Sequence, residues 1–212
     1  MSTNTQDRLL DAAEQLIAQK GYANTSLREI TTSAEANLAA VNYHFGSKEG
    51  LLSAMLTRRL DPMNQKRVEL LDIELRLAEK EGRRPDTRRL LKAFIEPVVT
   101  FFKSQPGGKH FLRIVSRIHS DPDDAIRQEF MKHMVPVFMQ FFHGFQKALP
   151  DVAPEILVSR IFFCIGALGH GASILVDDDL CKQGSRIGLP AIPDSKTLVE
   201  ELLAFAARGM EA

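Results

Sequence analysis

The sequence predicts an all-α protein, and three observations carry that prediction. Apolar residues recur at three- and four-residue spacing along most of the chain, as they do on one stripe of a helix. No stretch alternates Val, Ile and Thr with polar residues in the manner of a half-buried strand. Glycines, prolines and capping residues fall between the periodic stretches, where helices stop and restart. About nine helices follow from this reading.

The first helix carries Leu9, Ala12, Ala13, Leu16 and Ile17 on one face. Thr3 with Gln6 offers a capping box at its start, and Gly21 closes it by taking a left-handed conformation. Ser26-Leu27-Arg28-Glu29 is a second capping box and opens a helix of two turns, ending before Glu35-Ala36-Asn37. Asn37 is a good N-cap for a third helix, Leu38 to Phe45, which buries Val41 and Phe45 and turns Leu38, Ala40, Tyr43 and His44 elsewhere. Gly46 stops it. Ser47 restarts the chain into a long helix from Leu51 through Leu77, with a kink expected near Asp61-Pro62. A polar loop at 81–86 separates it from a fifth helix carrying Leu90 to Phe102. A sixth follows Pro106-Gly107-Gly108, a seventh spans about Asp123 to Leu149, an eighth about Pro154 to Leu175, and the last runs from Ser195 to Met210. Between these last two, Asp177 to Pro193 reads as a long loop.

The composition excludes several classes of protein. Lys plus Arg (27) balances Asp plus Glu (27), so no whole-molecule field attracts nucleic acid or an anionic membrane, and any DNA contact must be local. Apolar content of 44% with 25% charged residues is that of a packed globular chain. Cys164 and Cys181 have no histidine pair beside them, so neither a zinc site nor any other metal site or disulfide framework is expected. No apolar stretch reaches bilayer length, and the polar start Ser2-Thr3-Asn4-Thr5-Gln6 lacks the order of a secretory signal, which makes a cytoplasmic protein the expectation. The histidines have no H-x-x-x-H, G-x-S-x-G or C-x-x-C companions, so no catalytic residue and no cofactor is expected.

Two short helices joined by a three- or four-residue turn make the unit whose second helix fits a DNA major groove. Helix two, Glu35-Ala36-Asn37 and helix three have that layout, although tight helical corners also occur in proteins that never meet DNA. The outward face is more specific: Tyr43, His44 and Lys48 suit phosphate, and Asn37 and Asn42 are amides. Each has a bland alternative. Tyr43 would serve as a partly buried aromatic, Lys48 as a solvated first-turn lysine, Arg28 as a surface ion-pair partner and Asn37 as a cap alone.

The stretch Thr25-Ser26-Leu27-Arg28-Glu29-Ile30, followed by Asn37 through Leu51, resembles the DNA-binding signature of TetR-type transcriptional regulators. Asp11 to Leu16 and Lys20-Gly21-Tyr22 fit the first helix of the same signature, and the clear match covers roughly the first fifty-five residues. The wording from Asn37 to Lys48 is also similar to a branch that responds to fatty acids and acyl thioesters. The resemblance implies phosphate contacts from Ser26, Tyr43, His44 and Lys48, and base-edge positions at Leu38, Ala39 and Ala40, with Arg28 as the candidate for guanine. The chain departs from the pattern at Glu35 and Ala39, where glycine is common, and at Asn42, where tyrosine is common.

The resemblance further implies a DNA-binding domain over 1–47 and a ligand-binding and dimerisation domain over 48–212. The C-terminal part is rich in Phe and Met. Helical core explains them by default, and a loosely filled interior for an apolar ligand is the alternative. Phe102, Met134, Phe138 and Phe162 are the candidate lining, with Arg113, Arg117 and His119 for a carboxylate or phosphate head group. Gly166, Gly169 and Gly171 on the eighth helix, with Leu198, Leu202, Phe205 and Ala206 on the last, form the expected homodimer face. The function expected is repression from a palindromic double-stranded DNA operator, relieved by a small-molecule effector. A helical lipid carrier or adaptor that never meets DNA is the rival, since it would share the greasy core.

Overall fold

A computed structural model describes residues 4–118, 123–176, 190 and 194–212. Among these, nine helices and no strand are found, in the order α1 (Thr5–Lys20), α2 (Leu27–Ser33), α3 (Leu38–Phe45), α4 (Lys48–Lys80), α5 (Thr87–Ser104), α6 (Gly108–Arg117), α7 (Asp124–Ala148), α8 (Pro154–Val176) and α9 (Ser195–Glu211). The chain divides into two compact units, Met1–Pro62 with Phe102–Val135, and Met63–Phe101 with Pro136–Ala212. Pro62, Pro97 and Pro136 all lie inside helices. Each withholds one backbone donor from its helix, yet the helical run continues through it.

In the first unit the starts and stops are set by side chains next to the helices they cap. Asn4, not Thr3, caps α1 by accepting from the Gln6 backbone N–H; Thr3 lies outside the described residues. Gly21 ends α1 with its N–H bonded to the Ile17 carbonyl. The buried face of α1 comprises Leu9, Leu10, Ala12, Ala13, Ile17 and Ala18, and α1 packs on α2, α3 and α6. Each large side chain so buried contributes about 1.5–3 kcal/mol relative to exposure.

One acid interrupts that apolar face. Glu14 is buried and bonds to Arg59, whose Nη2 also donates to the Pro106 carbonyl at 2.7 Å. Arg58 joins through Nη2 at 3.3 Å and reaches Asp11 through Nη1 at 2.8 Å. The pair leaves no space above Gly107, where a Cβ would meet Arg59 Nη2 and Glu14 Oε1 at 2.6 Å each. Gly107 also has φ +77°, a conformation that costs an L side chain on the order of 1 kcal/mol, so glycine is required twice over.

The second unit is built around Leu71, Leu90, Ile95, Phe141, Phe145, Leu157, Ile161, Leu203 and Met210, all buried. Its polar interior is tied down as well. Arg67 donates to the Phe94 carbonyl at 2.9 Å and to Asn64 Oδ1 at 3.1 Å and lies 4.1 Å over the Phe94 ring. Burial pulls its pKa down to about 9. Glu74 gathers the loop between α4 and α5, accepting from Arg83, the Asp86 backbone N–H and Arg89. Burial opposes its charge, but those hydrogen bonds prevail and hold the carboxyl below its usual range.

Candidate nucleic-acid interface

The helix-turn-helix is assembled by local hydrogen bonds. Ser26 caps α2: its Oγ accepts from the Glu29 N–H at 3.2 Å, while Glu29 Oε2 accepts from the Ser26 N–H and hydroxyl at 2.9 Å each. Lys20 Nζ adds an ion pair to Glu29 Oε1 at 2.5 Å. That bond, followed by the two from Ser26, lowers the Glu29 pKa to about 2. The one hydroxyl proton of Ser26 is therefore already committed within the capping box.

The turn answers the missing glycine with backbone strain. Glu35 takes φ +48°, the left-handed region, and is the one non-glycine residue to do so among the described residues. The Ala36 N–H then bonds back to the Thr31 carbonyl at 2.9 Å, and Ile30 and Ala34 pack inward at 1% and 4% exposure. Asn37, extended, accepts from the Ala40 N–H at 2.8 Å and starts α3.

On α3, Val41 is fully buried and Tyr43 is 85% exposed. Phe45, expected to be buried with Val41, is only half-buried, with its ring centroid 6.0 Å from that of His44. A helix of eight residues buries one narrow stripe, and Phe45 at the last position before Gly46 falls at its margin. Leu38, at 46% exposure, lies on the outer surface with Ala39 and Asn42, while Ala40 and His44 are half-buried. The His44 ring meets Tyr43 edge-on at 4.9 Å. Arg28 is exposed on α2. Of the ten residues singled out from the sequence, Leu38, Ala39, Asn42 and Tyr43 thus form one outward surface of α3, and Asn37 and Ser26 act as caps.

Lys48 occupies a different setting. Its ammonium donates to the Tyr22 carbonyl at 2.9 Å and lies 4.1 Å over the Tyr22 ring, tying the end of α1 to the start of α4. Tyr22 is buried, and that burial, followed by the charges of Glu49 and Asp123, pushes its pKa up to about 12.

An apolar cavity lies in the second unit. Leu91, Phe94, Ile95, Phe138, Phe141, Phe145, Ile161, Cys164, Ile165 and Met210 line a space of about 10 Å³, room for about one water molecule. Burial pushes the Cys164 thiol pKa up. Among the residues proposed from the sequence to meet a ligand, Phe138 lines this space, and Phe162 stacks on Phe138 at 5.4 Å while remaining 55% exposed. Arg113 and Arg117 are exposed on α6, and with half-buried Met134 they belong to the first unit. The Phe102 side chain and all of His119 lie outside the described residues, as do Cys181 and the 177–193 loop apart from Pro190. Sequence reasoning missed Leu91, Cys164 and Met210, which come together only when α5, α8 and α9 pack. It also missed the Glu14–Arg59 pair, for which a signal existed: Glu14 falls four residues after Leu10 and three before Ile17, on the apolar stripe.

Comparison with known proteins places the chain. Residues 9–55 match the family model for bacterial regulatory proteins of the tetR family, and residues 92–209 match the tetracyclin repressor-like C-terminal domain. YttP of Bacillus subtilis, described as a probable HTH-type transcriptional regulator, is 39% identical over 57 residues, which are 27% of this chain and 28% of that protein. The HTH-type transcriptional repressor NicS of Pseudomonas putida is 33% identical over 79 residues, 35% of this chain and 37% of its own. The matched stretch thus spans well under half the length of these curated relatives. The structure described as the fatty acid degradation regulator FadR from Bacillus halodurans aligns over 99% of this chain and 98% of its own, with a TM-score of 0.67 at 15% identity, a likeness of fold. With both family models matched in order on one chain, and the second covering more than half of it, the protein belongs to the TetR family: it is a transcriptional regulator with a helix-turn-helix DNA-binding domain, and not an enzyme.

Proposed function

We propose that the protein is a homodimeric repressor that leaves a palindromic operator when a small apolar or acyl-type ligand binds its C-terminal part. The observation that carries this reading is the outer surface of α3, where an aromatic ring at 85% exposure stands beside Asn42, Leu38 and Ala39. A phenol displayed to solvent contributes almost nothing to a core, whereas it serves well as a phosphate-facing donor at the rim of a major groove. Ser26, Arg28 and His44 border the same motif, and Lys48 retains two N–H donors beyond the one given to Tyr22. In this reading residues 1–47 bind DNA, and residues 48–212 dimerise and sense the effector.

The dimer face is assigned to α8 and α9, but not with every residue expected there: Ala206 is buried within its own unit and Gly171 faces Leu202 of α9, while Phe205 is exposed. Ile156, Phe162, Phe163 and Phe205 are 50%, 55%, 73% and 70% exposed there, large apolar side chains that a partner helix pair would cover. Such a twofold pair offers two copies of α3 to half-sites about 34–36 Å apart or slightly more. The cavity walls are apolar, which suits an acyl chain, but at about 10 Å³ the space must open by side-chain movement before such a chain enters. Effector and operator then weaken each other by the same factor, typically about 5- to 150-fold. No helix among the described residues is long and apolar enough to cross a membrane, and a partner in genomic DNA assigns the work to the cytoplasm. Nothing in the geometry favours the lipid carrier, which gives no role to the α3 surface.

A gel-shift titration of the full-length protein against the DNA upstream of its own gene tests the reading. Binding that saturates at two protomers per site and weakens when fatty acids or acyl thioesters are added is expected. No shift at any protein concentration, or a complex indifferent to every added ligand, contradicts the DNA-binding half or the effector half respectively.

A further inference from the structure

The outer surface of α3 carries a base preference that can be read from its chemistry. None of its eight residues is Arg, Lys, Asp or Glu. Guanine is recognised in the major groove by a cationic fork on its O6 and N7, and cytosine by a carboxylate that accepts from its N4 amine. The helix can supply neither. It offers instead the two groups that suit an A·T pair: apolar carbon for the thymine 5-methyl, and a primary amide that can accept from adenine N6 while donating to N7.

The placement of these groups supports that pairing. Leu38 and Asn42 stand one turn apart, at i and i+4, so they share a flank of the helix. Ala39 lies on the side opposite Val41, whose burial fixes the inward direction. Leu38 and Ala39 are the first two residues of α3, the end that approaches base edges when a recognition helix enters the groove. Leu38 is 46% exposed, and Asn42 is exposed with no intramolecular hydrogen bond on its side-chain amide among the described residues. An amide that caps, as Asn37 does, is committed to its own backbone. The Asn42 amide is available. Between Ser26 and Phe45 the one Arg or Lys is Arg28, on α2, so a bidentate cationic contact to guanine comes from α2 and not from the recognition helix.

We infer that Asn42 reads an adenine through its N6 and N7 edge while Leu38 and Ala39 read thymine methyls, so that the base steps facing α3 in each half-site are A·T pairs. This rests on the assignment of α3 as the recognition helix made above. It goes further by naming the bases and the side chains that choose them.

The experiment selects bound duplexes from a random pool with the full-length protein and then measures affinity for the enriched site and its modified forms. Replacing thymine by uracil at the α3 steps removes only the methyl, and several-fold weaker binding is expected. Replacing the Asn42-facing A·T pair by G·C is expected to weaken the parent protein by about 5- to 150-fold. In Asn42→Ala, that ratio between the two sites should fall close to one. Alanine is the better helix former at this exposed position, so the variant keeps its fold. An enriched half-site with G·C pairs at the α3 steps overturns the inference while leaving DNA binding intact. So does a uracil site bound as well as the thymine site, or an Asn42→Ala protein with the parent's ratio. If no duplex is enriched and none binds, the recognition-helix assignment falls first and the base preference falls with it.

Discussion

The carboxylate of Glu14 grips the guanidinium of Arg59 with both oxygens, Oε2 at 2.7 Å from Nε and Oε1 at 2.9 Å from Nη2, where both side chains are almost wholly buried. Glu14 is on α1, Arg59 is on α4, and the same guanidinium holds the Pro106 carbonyl in the turn before α6. Three segments of the first unit thus meet at one ion pair, and α1 is the helix on which α2 and α3 rest.

Removing one partner of a buried pair strands the other. Glu14→Ala is expected to destabilise the protein by about 3–5 kcal/mol, seen as a lower urea midpoint. Replacing both partners together, as Glu14→Leu with Arg59→Met, should recover most of that loss, because an apolar pair of similar volume needs no counter-charge. A single variant as stable as the parent would show that the pair contributes nothing.

Glu35 holds φ +48° without the freedom of glycine. Glu35→Gly removes the clash between Cβ and backbone at the turn, and a gain on the order of 1 kcal/mol is expected despite the added freedom of the unfolded chain. Thermal unfolding of the two proteins side by side checks it. An unchanged or lower midpoint would mean that the turn stores no strain.

The Glu29 carboxyl titrates at about 2 in the folded protein against 4.5 as its ordinary value, with Lys20 and Ser26 as the cause. A depressed folded pKa stabilises the protein in full above about pH 4.5, and that contribution fades as the pH falls toward 2. Glu29→Gln lacks it at every pH. The gap in urea midpoint between parent and variant should therefore be open near neutral pH and close progressively on acidification below about pH 4.5. A gap that is constant with pH would remove the charge from the explanation.

Phe163 and Phe205 expose 73% and 70% of their surface on α8 and α9. If these helices form the dimer face, Phe163→Asp with Phe205→Asp should halve the mass measured by light scattering at micromolar concentration, because an apolar interface core rejects unpaired charge. A variant that remains the size of the parent moves the interface elsewhere.

The elements that could be read from sequence are those whose determinants are local. The Ser26–Glu29 box, the Asn37 cap and the Gly46 stop each involve residues within a few positions of one another, and α2 and α3 begin and end where those side chains place them. Tyr43 was legible for the same reason, since the burial of Val41 two residues earlier sends it outward. The hold of Lys48 on Tyr22 was not, because it joins residues 26 apart across two helices. The cavity wall depends on how α5, α7, α8 and α9 pack, and helical periodicity marks an inward face without naming its neighbour. The fifth and seventh helices were legible through Pro97 and Pro136, because the apolar spacing continues on both sides of each proline, and both helices do run past the missing donor.

Whether the exposed edge of α3 meets DNA is measured most directly with Tyr43→Ala. Binding of parent and variant to a site selected from random duplexes, and to a scrambled duplex of the same length, should be followed by fluorescence anisotropy at fixed salt. A tyrosine hydroxyl on phosphate contributes to every sequence alike, so affinity for both duplexes is expected to fall by the same factor, roughly tenfold or more. Parent-like affinity for both would contradict DNA contact by this edge, since a ring at 85% exposure would then be touching nothing when DNA is bound.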